Sequence, residues 1–218
     1  MEFPKEVKCV IFDMDGVIID SEEIHKKAYY ETFISIGVDV SDDLYKTLTG
    51  SSTINAFEKL VAHFELDENP EELVLAKRKR YVNFFENDPT LHLVNGVEKL
   101  IKQLHQQNIT LVLASSSAMV NIKRVFTRFN LHSYFTAKIS GADLVASKPH
   151  PEIFKKAAIL GNTNKEHCIV IEDSDNGVKA ANDAGIFVVG YRNPLAADQT
   201  LEQANLVIDD FSELASII

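Results

Sequence analysis

Four groups of polar residues stand where predicted strands end, and their types suit chemistry on an anion or a metal ion. Asp13-Met14-Asp15-Gly16 follows the first strand, and Ser115-Ser116-Ser117 follows the second. Ser147-Lys148-Pro149 comes shortly after the third strand, and Glu172-Asp173 stands at the end of the fourth. In an open parallel sheet, ligands bind beyond the carboxyl ends of the strands. We therefore expect four carboxylates, a hydroxyl group and a lysine to share one edge of the sheet.

The charge of this edge predicts a metal ion. Like charges a few ångströms apart raise each other's pKa values or require a cation, and one lysine does not balance four carboxylates. An all-oxygen site with few protein ligands suits Mg²⁺, which keeps water molecules and is shared with a substrate phosphate. A calcium loop starting at Asp173 is excluded, because its glycine and glutamate positions hold Val178 and Ala184.

Short apolar runs rich in β-branched residues predict the strands that position these groups. They are residues 7–12, 110–114, 136–140, 168–172, 186–190 and 206–209. From residue 91 onward the runs alternate with helical patterns such as 96–107 and 118–129. This alternation predicts an α/β fold with a doubly wound, Rossmann-like parallel sheet.

One long segment breaks the alternation. It contains four helical patterns and no convincing strand, so we expect an inserted α-helical cap domain over residues 18–88. The core domain would then comprise residues 1–17 and 89–218. The Lys-Arg-Lys-Arg run at 77–80 lies inside the fourth pattern, and we interpret it as a solvated helix face.

Composition limits the partners and the compartment. The chain has 218 residues and a net charge of −10, which disfavours nucleic acid and anionic membranes as partners. No apolar run approaches the ~18 residues of a membrane span, and the amino terminus does not resemble a signal peptide. Cys9 and Cys168 lie in apolar runs and are interpreted as small buried residues. We expect a cytoplasmic monomer.

The polar groups and their surroundings resemble the motifs of the haloacid dehalogenase superfamily of phosphotransferases, in its β-phosphoglucomutase-like branch with a helical cap. FDMDGVIIDS, LASSS, SKPHPEIF and IEDSDNGVKAANDAG match the four family motifs in order and at family spacing, over nearly the whole chain. The resemblance implies an enzyme that forms an aspartyl-phosphate. Asp13 would be the nucleophile, and Asp15 would serve as general acid and then as general base.

The resemblance also implies the remaining site residues. Ser115 would bind the transferring phosphoryl group, and Lys148 would neutralise charge on the nucleophile and phosphate. Mg²⁺ would be held by Asp13, the backbone carbonyl of Asp15 and Asp173, with Glu172 acting directly or through water. The substrate-binding candidates are Ser116 in the core and His25, Gly50, Ser51, Ser52, Thr53 and Asn83 in the cap.

Two enzymatic activities fit this resemblance. We expect a Mg²⁺-dependent phosphatase that acts on a small phosphorylated metabolite, with a sugar phosphate as the favoured class. The alternative is a phosphosugar mutase of the β-phosphoglucomutase type. That enzyme has an arginine and a lysine in its cap, where this chain is aligned with Thr53 and Asn83. Because a distal phosphate calls for a cationic residue, these neutral residues favour hydrolysis.

Two other classes of protein fit less well. A receiver-like signalling domain also carries acidic residues, a hydroxyl residue and a lysine at strand ends, but it is about half this length and has no cap insertion. A halogen-removing enzyme needs the nucleophile but no metal, so Asp15 would have no task.

Overall fold

A computed structural model describes residues 1–48, 52–194 and 199–218. The chain forms two compact units: Met1–Asp20 with His92–Ile218, and the inserted segment Ser21–Leu91. The sequence-based bounds of the insertion were 18–88, three residues earlier at each end. Two of the candidate residues, Gly50 and Ser51, lie outside the described residues.

The larger unit is built on a parallel sheet. Its strands are β1 (Cys9–Phe12), β2 (Thr110–Ser115), β3 (Ala137–Ser140), β4 (Cys168–Glu172), β5 (Phe187–Tyr191) and β6 (Leu206–Ile208). In the described part of the chain these six strands lie in the order β3-β2-β1-β4-β5-β6, and every pair is parallel. The chain winds outward in both directions from β1, so the carboxyl ends of β1 and β4 lie at the switch point where such sheets bind ligands.

Helices account for most of the remaining described residues. Those of the inserted unit are α1 (Glu22–Ser35), α2 (Asp42–Leu48), α3 (Thr53–Phe64) and α4 (Pro70–Asn87). Those of the larger unit are α5 (Val97–Gln106), α6 (Met119–Arg128), α7 (Glu152–Leu160), α8 (Asp175–Ala184) and α9 (Phe211–Ala215). Within the described ranges, no helix is long and apolar enough to cross a membrane.

The sheet is buried on both faces, which explains why its strands read as continuous apolar runs. On one face Ile11 packs in a cluster with Phe154 of α7 and Val178 of α8. On the other face Phe12 meets the ring of Phe135 at 5.7 Å between centroids, and Phe135 meets Phe126 of α6 at 5.0 Å. The predicted doubly wound α/β sheet with an inserted helical unit is confirmed.

The inserted unit has a hydrophobic core of its own. Phe57 and Leu60 of α3 are fully buried and pack with Phe33 of α1 and Leu73 of α4. The start of α4 shows why the sequence folds this way, since the Asn69 side chain accepts a hydrogen bond from a first-turn backbone N–H and proline follows it.

The two cysteines are buried, as predicted. The β1–β4 register places Cys9 directly opposite Cys168. Their thiols face each other, and the hydrogen bond that Cys9 donates to Cys168, followed by burial, raises the pKa of Cys9 above its usual range. Both side chains act as small interior residues of the sheet.

Candidate active site

A tight turn after β1 presents the first two carboxylates. The N–H of Ile18 donates to the Met14 carbonyl at 2.8 Å, which closes the turn. Gly16 has φ of +85°, in the left-handed region that favours glycine. As a result Asp13 and Asp15 both lie at the carboxyl end of β1, and Asp13 is buried.

A buried lysine joins the first and last motifs. The Nζ atom of Lys148 donates to Asp13 Oδ1 and to Glu172 Oε1, each at 2.5 Å, and to the Ala114 carbonyl at 3.1 Å. The side chains of Lys148, Asp13 and Glu172 are only 6%, 10% and 1% exposed. One ammonium group therefore bridges two carboxylates at the carboxyl ends of neighbouring strands.

The protonation of this bridge follows from burial and from its partners. Burial raises the pKa of Asp13 to about 7, although Lys148 acts in the opposite direction. Burial alone would lower the pKa of Lys148, but the Asp13 and Glu172 carboxylates outweigh it and the pKa is raised. Lys148 is thus a permanent cation, and a further positive charge nearby would favour ionised Asp13.

Glu172 is held by its own loop as well as by Lys148. Its second oxygen, Oε2, accepts from the N–H groups of Asp173 and Ser174, both at 3.0 Å, and from the Ser174 hydroxyl at 2.9 Å. Gly177 at the start of α8 makes room, since an added Cβ would overlap the Glu172 carboxylate. Both oxygens of Glu172 are engaged, which favours an indirect role at a metal site over direct ligation.

Asp173 is the acidic residue that follows Glu172, and its position suits a magnesium ligand. The Asp173 carboxylate lies against Gly16 so closely that an added Cβ there would overlap its Oδ2 atom. Across the described residues, no group of three or more His, Cys, Asp or Glu side chains is arranged to hold a metal ion. Mg²⁺ needs only one or two carboxylates beside water and substrate oxygens, so Asp13, Asp173 and the Asp15 carbonyl form an adequate all-oxygen donor set.

The three serines at the carboxyl end of β2 have different surroundings. Ser115 is 1% exposed, and its hydroxyl accepts from the Ser117 N–H at 3.0 Å. Ser117 in turn donates its hydroxyl to Asp15 Oδ2 at 2.7 Å, and its carbonyl accepts from the Ser140 hydroxyl at 2.9 Å. Ser116 is exposed. The sequence places Ser117 in the polar group after the second strand, but Ser117 was not selected there as a site residue.

The inserted unit holds a buried lysine that sequence reasoning misassigned. Lys77 of α4 is 3% exposed, whereas Arg78 and Lys79 are exposed, so the interpretation of this run as a solvated face is wrong for Lys77. Its Nζ atom lies 2.7 Å from His25 Nδ1 and 4.6 Å from the ring centroid of Tyr29. The last helix of this unit therefore carries a buried lysine, Lys77, whereas the sequence comparison with the mutase had aligned only the neutral Asn83 with a lysine of that helix.

Two other candidates in this unit, Thr53 and Ser52, make different contacts. Burial raises the pKa of Tyr29 to about 12, while a hydrogen bond with the Thr53 side chain acts the other way. Thr53 and Lys77 thus both contact Tyr29, and Lys77 in turn contacts His25. Ser52 caps α3 by accepting from a backbone N–H at 3.3 Å.

Asn83 lies elsewhere on α4. It is exposed, and its Oδ1 atom accepts from Asn87 Nδ2 at 3.1 Å. Six residues separate it from Lys77, which at ~100° per residue places the two on different faces of the helix. The structure therefore does not bring Asn83 to the group around Tyr29.

Comparison with known proteins assigns the family. The sequence pattern of the haloacid dehalogenase-like hydrolases matches residues 10–191. The chain belongs to this family. It is 30% identical over 213 residues to β-phosphoglucomutase of Bacillus subtilis, covering 95% of this chain and 92% of that protein. It is 31% identical over 216 residues to a probable pseudouridine-5'-phosphatase of Drosophila melanogaster, with coverage of 96% and 92%.

A solved structure agrees with this assignment. β-Phosphoglucomutase from Clostridium difficile superposes with a TM-score of 0.82 at 28% identity, covering 95% of this chain and 93% of that one. The expected membership of the β-phosphoglucomutase-like branch is confirmed, and so is the expectation of an enzyme. The names of these relatives include both a mutase and a phosphatase.

Replacing Ser117 tests its contact with Asp15. We expect Ser117→Ala to lower kcat/KM, which reports on transfer of the phosphoryl group from substrate, about 10- to 100-fold for an alkyl phosphate, because a misaligned Asp15 would protonate the leaving oxygen less well. The loss should be much smaller for p-nitrophenyl phosphate, whose leaving group needs little protonation. Steady-state kinetics on both substrates measure the difference, and Ser216→Ala, an exposed serine near the carboxyl terminus, is the control. Equal losses on both substrates would contradict this role.

Proposed function

We propose that this chain is a Mg²⁺-dependent phosphatase that hydrolyses a small phosphorylated metabolite through a phosphoryl group on Asp13, with a sugar phosphate as the favoured class. The observation that carries the proposal is the Lys148 bridge between Asp13 and Glu172. An anionic nucleophile repels a phosphate dianion, and a fixed buried cation beside the nucleophile offsets that repulsion. Phosphoryl transfer depends on such positioning and charge stabilisation.

The two proposed half-reactions use the two aspartates in turn. Asp13 forms a bond from its carboxylate oxygen to phosphorus, the bond from phosphorus to the leaving oxygen breaks, and Asp15 gives that oxygen its proton. In the second half-reaction Asp15 takes a proton from water, whose oxygen attacks phosphorus and releases Asp13 and inorganic phosphate. Ser115, whose hydroxyl accepts from Ser117, keeps its own proton for donation to a phosphoryl oxygen.

Three groups would hold the metal: the carboxylates of Asp13 and Asp173 and the backbone carbonyl of Asp15. When bound, Mg²⁺ supplies positive charge that favours ionised Asp13 and neutralises the phosphate. Lys148 supplies the fixed part of that charge, and Glu172 keeps Lys148 in place.

One observation keeps the mutase as a second candidate. A mutase must bind a second phosphate away from Asp13, which calls for a cation. Thr53 is neutral, and its side chain forms a hydrogen bond with Tyr29. Thr53 therefore does not supply this cation, which favours the phosphatase. Lys77 places a buried amino group beside His25, which when protonated would supply this cation and so weakens the argument from the neutral Asn83.

Metal removal tests the cofactor. We expect EDTA to abolish phosphate release and Mg²⁺ to restore it. Mg²⁺ should also raise the melting temperature, because it binds only the folded state. Calorimetric titration should show affinity for Mg²⁺ reduced at least ~10-fold in Asp173→Asn and unchanged in Asp183→Asn, whose exposed carboxylate pairs with Lys179. Full activity in the presence of the chelator would refute the metal dependence.

Product analysis separates the two candidate activities. We expect the enzyme to release inorganic phosphate from a sugar phosphate such as β-glucose 1-phosphate, or from another small substrate found by a screen of phosphorylated metabolites. The measurement follows β-glucose 1-phosphate by phosphorus NMR with a trace of glucose 1,6-bisphosphate present. Conversion to glucose 6-phosphate with little phosphate released would instead establish the mutase, and a neutral residue at Thr53 would then be compatible with binding of a second phosphate.

A further inference from the structure

A buried asparagine beyond the fourth motif contacts the active-site turn. Asn193 lies two residues after β5 and is 6% exposed, and none of the motifs contains it. Its Nδ2 atom donates to the Gly16 carbonyl at 3.1 Å, across 177 residues of sequence. In the sheet, β4 lies between β5 and β1, so this hydrogen bond spans the end of a whole strand.

The same point of the turn also carries Asp173. A Cβ added to Gly16 would overlap Asp173 Oδ2 and would come within 3.0 Å of Asn193 Nδ2. The carboxylate and the amide therefore lie side by side against one glycine. Gly16 is thus the residue that both Asp173 and Asn193 contact.

The chemistry of an amide suits this place. An asparagine amide donates two hydrogen bonds without carrying charge, so it can fix a carbonyl without competing with a metal ion for Asp173. A lysine or arginine here would neutralise Asp173 directly. The peptide that joins Asp15 to Gly16 contains the Asp15 carbonyl, so fixing the Gly16 end of the turn limits the movement of that carbonyl as well.

We propose that Asn193 is a positioning residue for the metal site, which holds the turn through the Gly16 carbonyl so that the Asp15 carbonyl and Asp173 converge on Mg²⁺. This inference rests on the proposed Mg²⁺-dependent function. Groups that orient metal ligands without touching the metal typically change metal affinity by about 10- to 100-fold when removed.

Calorimetric titration with Mg²⁺ alone tests the proposal. We expect Asn193→Ala to weaken Mg²⁺ binding about 10- to 100-fold. Asn205→Ala is the matched control, because the Asn205 amide also holds β5, by accepting from the Val188 N–H at 2.8 Å, but at the opposite end of the strand. Its Mg²⁺ affinity should equal that of the wild type. Equal affinity of Asn193→Ala and the wild type would overturn the proposal.

A second measurement does not depend on the folding of any variant. In the wild-type protein, side-chain amide signals in ¹⁵N–¹H spectra should shift on Mg²⁺ addition for Asn193 and stay in place for Asn205. An Asn193 signal that does not move at saturating Mg²⁺ would overturn the inference alone. A wild-type protein that binds no Mg²⁺ would overturn both the inference and the metal dependence of the proposed function.

Discussion

The salt bridge from Lys148 to Asp13 and Glu172 is the interaction on which the rest of the site depends. It ties together the ends of β1 and β4, which are neighbours in the sheet, and the loop that follows β3. Removing one partner of a buried ion pair leaves an uncompensated charge and costs about 3–5 kcal/mol. Loss of Lys148 would leave both carboxylates buried without their cation, whereas loss of the Asp13 charge leaves the Lys148–Glu172 pair intact. The arrangement therefore depends most on Lys148, whose charge is also available to a phosphate that approaches Asp13.

Two glycines make this density of carboxylates sterically feasible. Gly16 gives Asp173 a place against the turn after β1, and Gly177 gives Glu172 a place against the start of α8. At either position a Cβ would overlap a carboxylate oxygen. The two glycines thus provide the space, and Lys148 provides the positive charge, that allow several carboxylates to lie at the switch point of the sheet.

The sequence predicted the strands to within two residues and the acidic motifs at their ends, because buried parallel strands read as apolar runs and ligands gather where such strands stop. Asn193 could not be assigned in the same way, since its partner Gly16 is distant in sequence and the two meet only in the folded chain. Ser117 was placed at the correct edge of the sheet, but its hydrogen bond with Asp15 is formed only in the folded chain. Lys77 was missed because successive helical residues point in different directions, and composition alone does not say which of four basic side chains turns inward.

The covalent step on Asp13 is the central claim, and it is tested most directly by trapping. The enzyme is incubated with its phosphorylated substrate, quenched rapidly in acid and treated with borohydride, which reduces an acyl phosphate to an alcohol. Peptide mass spectrometry then locates the modified aspartate. We expect substrate-dependent modification at Asp13 alone, and we expect it to be lost in Asp13→Asn. Modification at Asp15 instead, or steady turnover by the Asp13→Asn variant, would contradict it.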